Sequence, residues 1–413
     1  LKIVYLHQYF VTPDMPGGTR SYEIGRRLVE AGHEVHMITS DQSGRFDASE
    51  GWRITEEAGI RVHWTTVPYG NEMPYGERIK AFFLFAWRSA REAARVGGDL
   101  VFATSTPLTI ALPAVYAAKR CGIPMVFEVR DLWPAVPIAL GALKNPLSRW
   151  LARRLERFAY GNASHVVALA PGMRDAVVET GYPPERVSVI PNGADLDLFD
   201  VPPEEGKRLR SLHPWLQDRP LVLFAGTLGM ANGVDYLVRL ASAVRMLDPE
   251  IRFLVIGGGK EVERVRGMAR EQGVLENNFF MMNAIPKREV PAWLSASDLV
   301  TALFTGPKIV WKDAVQNKFF DAMAAGRPIV NNFDGWQSRI AEEHGAGLIL
   351  PPDDLPAAAR LLTGAIHNPE WMEEARIAAR RLGREMFSRE RLARELEQVL
   401  TSVRNNHKAG KKF

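Results

Sequence analysis

Short apolar runs alternate along this chain with longer stretches in which apolar residues recur every three or four positions. The first pattern is that of strands buried on both faces and the second that of amphipathic helices. Their alternation is the signature of a parallel α/β sheet. In the first half, strands are predicted at 2–6, 35–39, 61–65, 100–103, 124–128, 165–168 and 187–190. Helices are predicted between them at 20–31, 78–96, 108–120, 146–160 and 172–179. The first of these helices ends in Ala31-Gly32, a glycine stop. Residues 200–219, DVPPEEGKRLRSLHPWLQDR, interrupt the alternation with proline and charge. It then restarts, with strands at 221–225, 252–257, 279–282, 299–304, 328–331 and 347–350. The helices of this half are at 234–247, 261–272, 287–295, 316–325, 355–366 and 369–383. A last helix at 389–403 carries Leu392, Leu396 and Leu400 at helical spacing and suits packing along a flank.

The expected architecture is therefore α/β, with two Rossmann-like domains facing across a cleft. The N-terminal domain covers 1–199, a linker 200–218 and the C-terminal domain 219–386. A cross-over helix at 387–403 packs back along the N-terminal domain, and a basic tail occupies 404–413. The 413 residues suffice for two cores, and 46% apolar with 24% charged residues is ordinary globular composition.

Charge changes the picture only locally. The net +4 equals the count of Arg404, Lys408, Lys411 and Lys412 in a tail expected to fray, and residues 1–403 carry 48 charges of each sign. Without bulk basicity, the body is not expected to bind nucleic acid. The single cysteine, Cys121, cannot form an internal disulfide, and no run reaches the ~18 apolar residues of a membrane span. A cytoplasmic protein without structural metal is the expectation. Asp195-Leu196-Asp197 reads as a turn, and His33 and His36 on one strand would face opposite sides.

Ligands of open parallel sheets bind beyond the carboxyl ends of the strands, against helix N-termini. Three loops have that position. Residues 8–19 end in Gly17-Gly18 before helix 20–31, and Arg20 in its first turn opposes the helix dipole unless an anion offsets it. Strand 124–128 runs into Arg130-Asp131, a pattern shared by catalytic sets and structural ion pairs. In the second half, Gly226-Thr227-Leu228-Gly229 and Asn232-Gly233 separate a strand from a helix and offer bare N–H donors. Val255-Ile256-Gly257-Gly258-Gly259 also follows a strand, but Val262 leaves the dinucleotide fingerprint incomplete.

In order and spacing, the segments LHQYF…PGGTRSYEIGRRLVEAGHEVHMIT, VFEVRDLWP, VSVIPNGADLDLF, VLFAGTLGMANGVDYLV, NKFFDAMAAGRPIV, GAGLILPPDD and FSRERLARELEQVL resemble the retaining glycosyltransferases of family 4, which have the GT-B fold. The resemblance spans essentially the whole chain and is greatest to enzymes of bacterial O-antigen and exopolysaccharide assembly. It implies a metal-independent hexosyltransferase with no cofactor. The donor would be a nucleoside diphosphate sugar, with UDP the family-weighted base, and the acceptor a lipid-linked saccharide. It also implies a front-face mechanism, in which the leaving phosphate takes the acceptor proton and no side-chain nucleophile is needed.

The resemblance further assigns residues. Asp321 corresponds to the second acid of the family's Glu-x7-Glu element, which accepts the ribose hydroxyls, and Asp313 to the first, which contacts the donor sugar. Two departures stand out. Thr227 and Asn232 occupy positions where many members carry the Arg and Lys that neutralise the diphosphate, and Arg130-Asp131 replaces His-Asp. Trp336 likewise stands where related sequences often carry an acid. The leaving diphosphate needs cationic or dipolar stabilisation, and the candidates are Lys318, Arg130, Arg20, the N–H groups of Gly18 and Gly226, and Lys308 and Lys312. Lys318, aided by the N-terminus of its helix, is the expected substitute. Arg130, Asp131 and Lys318 are thus the catalytic candidates. Gly18, Arg20, Gly226, Thr227, Asn232, Asp313, Asn317, Lys318 and Asp321 are those for donor binding.

A lipid-linked acceptor brings in the membrane surface. Residues 75–95 combine Phe82, Phe83, Phe85 and Trp87 with Arg78, Lys80, Arg88 and Arg91, and 146–160 combine Trp150 and Leu151 with Arg149, Arg153 and Arg157. Both stretches suit interfacial helices and equally suit domain helices whose aromatics fill the core. Two other functions fit the same chain: a non-hydrolysing sugar-nucleotide epimerase, and a nucleotide-sugar-binding protein weakened in catalysis by Thr227 and Asn232.

Overall fold

The computed structural model describes residues 1–15, 17–42, 44, 51–70 and 73–410. Its chain forms two compact units, Leu1–Pro191 with Glu390–Phe413, and Asn192–Arg389.

In the first unit, eight strands among the described residues form one sheet: β1 (Lys2–Leu6), β2 (Glu34–Asp41), β3 (Arg53–Glu57), β4 (Ile60–Thr66), β5 (Leu100–Thr104), β6 (Met125–Val129), β7 (His165–Ala168) and β8 (Val187–Val189). Their order is β3-β4-β2-β1-β5-β6-β7-β8. All neighbours are parallel except β3, which pairs antiparallel with β4. The apolar pattern predicts the parallel strands and misses β3, whose sequence RITEE lies on an edge and is largely exposed. Its signal is the turn. Ala58 and Gly59 have φ of 50° and 79°, the positive pair that a tight hairpin requires.

One face of this sheet is covered by the helix Arg20–Glu30 and by the C-terminal helix, whose Leu392, Leu396, Leu400 and Val403 join Ile3, Tyr5, Ile24 and Leu28 in one core. The C-terminal helix therefore packs back on the N-terminal unit, as expected. It runs further than expected, from Arg389 to Gly410. Arg404 is not part of a frayed tail: its Nε and Nη2 donate to Asp99 Oδ1 at 3.0 and 2.9 Å. Burial of Leu400 and Val403 carries the helix to that point. Lys411 and Lys412 lie outside the described residues.

The second unit holds β9 (Leu221–Ala225), β10 (Arg252–Ile256), β11 (Phe279–Met282), β12 (Leu299–Ala302), β13 (Ile329–Asn331) and β14 (Gly347–Ile349). All are parallel, in the order β11-β10-β9-β12-β13-β14. The order reverses between β9 and β12. Connections leave in opposite directions there and open a crevice at the carboxyl edge. Apolar cores lie on both faces, one around Phe224, Phe253 and Phe279 and the other around Phe319, Phe320 and Phe387.

The stretch expected to be a linker is instead part of this unit. Pro203–Ser211 is a helix, with proline at its first turn, Glu204 and Glu205 beside it, and Arg208 and Arg210 in its last turn. Gly206 lets it lie against the Ser295 carbonyl, where a Cβ would come within 2.7 Å of the oxygen. Arg210 donates to Ala296 O, Gln217 O, Arg219 O and Asp298. A proline-rich, charged sequence reads as a connection, but here its charges are spent on capping. The change of unit falls at Pro191–Asn192.

Candidate functional site

At the carboxyl edge of the second sheet, two loops pack backbone against backbone. A Cβ on Gly257 would lie 1.8 Å from Gly226 O, and one on Gly259 would lie 2.4 Å from Leu228 O. Leu228 N–H donates to Gly258 O at 2.9 Å, which fixes the loop after β9 against the loop after β10. Gly226 has φ 155°, and its own Cβ would lie 3.2 Å from Lys318 Nζ. Its N–H is not a bare donor, because it bonds Ile256 O at 2.9 Å. This corrects the expectation that the Gly226 amide is available to a phosphate. What Gly226 contributes is room.

Lys318 fills that room. Its Nζ lies 3.7 Å from the centroid of the Phe224 ring, and desolvation lowers its amine to about 7. The helix Asn317–Ala324 is held in rotation by buried Phe319, Phe320 and Met323. Lys318 and Asp321 are three residues apart and share one face of it. Asp321 is buried and bonded to Lys287 Nζ, which also lies 5.0 Å from the centre of the Phe199 ring. Lys287 is the partner that the sequence did not reveal. Asn317 Oδ1 accepts from Asn192 Nδ2 at 3.1 Å.

Thr227 is exposed, and its carbonyl accepts from Asn232 Nδ2 at 2.7 Å. Thr227 and Asn232 therefore close the loop on itself where a longer basic pair was absent. Asp313 is partly exposed in the segment between the short helix Lys308–Trp311 and Asn317–Ala324, with Lys308 and Lys312 exposed beside it. Trp336 has a structural part. Its ring meets Phe387 edge-on with centroids 6.2 Å apart, and its backbone N–H donates to Lys312 O.

The first unit has its own polar cluster at the carboxyl ends of β1, β5 and β6. Arg20 is buried in it, and Glu128 Oε1 accepts from its Nε at 3.1 Å and its Nη2 at 2.8 Å. Arg20 also donates to Pro191 O at 2.6 Å and Ile190 O at 3.0 Å, while Thr104 Oγ1 donates to Glu128 Oε2 at 2.6 Å. Burial pushes the Glu128 carboxyl up, but Arg20 and Arg130 outweigh it and hold the group below the usual carboxylate range. The anion that offsets Arg20 is thus Glu128, which corrects the assignment of Arg20 to a ligand. Two sequence anomalies, an Arg in a first turn and a Glu inside the apolar strand MVFEV, explain each other.

Arg130 Nη1 lies 3.2 Å from His7 Nε2, and Arg130 N–H donates to Ser105 Oγ at 3.0 Å. Desolvation, with Arg130 alongside, holds His7 well below the ordinary imidazole range, so a neutral ring accepts from the guanidinium. Asp131 has an open surface, yet desolvation by surrounding chain raises its carboxyl, opposed by Arg130 and a bond with Thr106. Gly18 is exposed in the loop before Arg20–Glu30. The structure thus joins Gly226, Lys318 and Phe224 in one place and Arg130, His7 and Ser105 in another. His7 has no sequence signal of its own, because a lone histidine after a strand carries no motif.

Two family models match: residues 17–193 match the glycosyl transferase 4-like domain, and residues 219–368 match the glycosyl transferases group 1. The chain is 28% identical over 285 residues to the probable glycosyltransferase WbjE of Pseudomonas aeruginosa, covering 68% of each chain. It is 23% identical over 302 residues to the putative colanic acid biosynthesis glycosyl transferase WcaI of Escherichia coli strain K12, covering 70% of this chain and 73% of that one. Among solved structures, sucrose-phosphate synthase from Thermosynechococcus elongatus superposes with a TM-score of 0.78 at 17% identity, over 97% of this chain and 98% of that one. Anabaena HepE in complex with UDP superposes at 0.75 with 18% identity, over 97% and 100%. At such identities, the structural matches establish a common fold.

The structural part of Arg20 makes a testable prediction. Arg20→Ala leaves Glu128 buried and unpaired and should cost about 3–5 kcal/mol in urea unfolding. Unchanged stability would return Arg20 to the list of ligand-binding residues.

Proposed function

Because the chain belongs to the family 4 glycosyltransferases, which have the GT-B fold, we propose that it moves a sugar from a nucleoside diphosphate sugar, UDP-linked, to a lipid-linked saccharide in bacterial surface polysaccharide assembly. The observation that carries this reading is Lys318, a desolvated amine against Phe224 and the bare backbone of Gly226, at the edge where such sheets take ligands. The complexes of HepE with UDP and with UDP-glucose support the choice of donor.

In this reading, negative charge grows on the β-phosphate as the glycosidic bond breaks. Lys318, arriving as an ammonium, stabilises it and so supplies what Thr227 and Asn232 lack. Asp321 accepts the ribose hydroxyls, a task for a carboxylate, and Lys287 must then release it. Lys287 is half exposed, so it can turn into water at small cost. Asp313 contacts the sugar. Arg130 and Asp131, aligned by His7 and Ser105, serve the reacting end. No side-chain nucleophile is required, since the departing phosphate takes the acceptor proton.

Membrane contact completes the proposal. Among the described residues, no helix is long and apolar enough to cross a membrane. The helix Tyr75–Val96 buries Phe82 and Phe85 in the unit and exposes Phe83 and Trp87 at 54% and 58%. The helix Pro146–Asn162 exposes Leu147, Trp150 and Leu151. Arg91 lies over Trp87 at 4.7 Å and Arg154 over Trp150 at 5.1 Å. Both helices pack on Ala111–Cys121, so these residues share one side of the unit. Exposed aromatics with guanidinium partners are suited to an anionic lipid surface.

Lys318→Ala should lower turnover at saturating donor about 10²-fold, the usual loss for one stabilising donor. The amine of the unliganded protein titrates near 7 and only its charged form attracts diphosphate, so calorimetric affinity for UDP should fall as pH rises from 7 to 9, by up to about tenfold per unit. Lys318→Arg should flatten that slope. Near-normal turnover in the alanine variant contradicts the assignment. For the membrane face, flotation with anionic liposomes should be lost when Phe83, Trp87 and Trp150 are all replaced by Ser. Unaltered flotation of that variant excludes these helices as the anchor.

A further inference from the structure

All strands of the second sheet run the same way, so the loops after β9, β10 and β12 share one edge and the segments preceding β12 and β13 share the other. At that other edge lies a cavity of about 190 Å³. Its polar lining is Asp197, Asp200, Ser295, Arg327, Arg380 and Arg384. It belongs to none of the donor-binding elements described above, although Ala324, at the far end of the helix that carries Lys318, also lines it.

The charges around it are unevenly matched. Asp298 accepts from Arg210 Nη2 at 2.7 Å, Arg376 Nη2 at 3.1 Å and Leu221 N at 2.9 Å. That carboxylate is fully used. Arg327 spends Nη2 on Ser295 O at 2.7 Å, and its Nε is buried without a partner, as is Ser295 Oγ. Desolvation first, and then Arg376, Arg380 and Arg210, lower the Arg327 guanidinium to about 10 against the pull of Asp298. Arg380 is drawn across Gly326, whose Cβ would lie 2.3 Å from its side chain. Asp197 and Asp200 are exposed at the rim, and neither forms an ion pair with Arg380 or Arg384 among the described residues. Opposite charges line the same cavity without closing it.

Three guanidinium groups on one cavity, two of them without a carboxylate partner among the described residues, suit an anionic occupant. We propose that this cavity binds a small phosphate-bearing anion, inorganic phosphate or the monoester of a short polyol, with Arg327, Arg380 and Arg384 taking the phosphate oxygens. Planar guanidinium groups match phosphate oxygens in pairs. At roughly 30 Å³ per water, the volume holds about six waters, enough for a phosphate with a short arm and too little for a nucleotide. The rim aspartates accept hydroxyls, which distinguishes an ester from the bare ion.

Calorimetry of the intact protein with inorganic phosphate and with glycerol 3-phosphate, at constant ionic strength, tests this. One saturable site is expected, weakened at least tenfold in Arg380→Ala/Arg384→Ala, whose side chains are exposed and make no ion pair among the described residues. It should persist in Lys318→Ala and in Arg266→Ala/Arg360→Ala, a pair of equal charge loss away from the cavity. Tighter binding of the ester, with the preference lost in Asp197→Asn/Asp200→Asn, supports the proposal and identifies a monoester; equal affinity supports it and identifies free phosphate. Absence of binding, unchanged binding in Arg380→Ala/Arg384→Ala, or loss in Lys318→Ala or in the control pair overturns it.

Discussion

An amine held against an aromatic ring and bare backbone keeps little water around it, and the second unit makes room for one such amine, that of the partly buried Lys318. Lys318 stands against the face of Phe224 with Gly226 beneath it. Each neighbour is constrained by the next. Phe224 belongs to β9 at the centre of the sheet, Gly226 must lack a side chain for the amine to fit, and Gly257 must lack one for Gly226 O to stay where it is. Buried Phe319 and Phe320 set the rotation of the helix that presents the lysine. A side chain at either glycine would be felt at the amine. In the proposed function, an incoming diphosphate would supply the charge that keeps this amine protonated.

The first unit handles buried charge in the opposite way. Arg20 and Glu128 are both out of water, but each has its hydrogen-bonding capacity taken up, by Thr104, Pro191 O and Ile190 O as well as by each other. A pair so completely satisfied has nothing left to offer a ligand. Arg130 differs. It is only partly buried, its guanidinium meets a neutral His7, and Asp131 next to it keeps an open surface. In the proposed function, the incompletely satisfied Lys318 and Arg130 are the groups that act on the ligand, whereas Arg20 is held by the fold.

Much of the fold is legible in the sequence because buried parallel strands, such as residues 3–6 of β1, read as uninterrupted apolar runs. β3 is not, since an edge strand with a polar outer face has no such run and is announced only by Ala58-Gly59. The helix Pro203–Ser211 looks like a linker because its interactions are charge-to-carbonyl contacts with residues some ninety positions later, Ala296 and Asp298. In the site, the shared face of Lys318 and Asp321 follows from their spacing alone. The hold of Lys287 on Asp321 does not, for the two meet across 34 positions and no motif joins them. Nor can a count of glycines tell which N–H is already taken, as that of Gly226 is by Ile256 O.

The central claim, that the second unit receives a diphosphate at Lys318 and a ribose at Asp321, is tested most directly by a crystal structure of the protein soaked with UDP. The account predicts a phosphate oxygen within hydrogen-bond distance of Lys318 Nζ, both ribose hydroxyls on the Asp321 carboxylate, and Lys287 turned away from it. A nucleotide bound elsewhere, or bound with the Lys287–Asp321 pair intact, would contradict it.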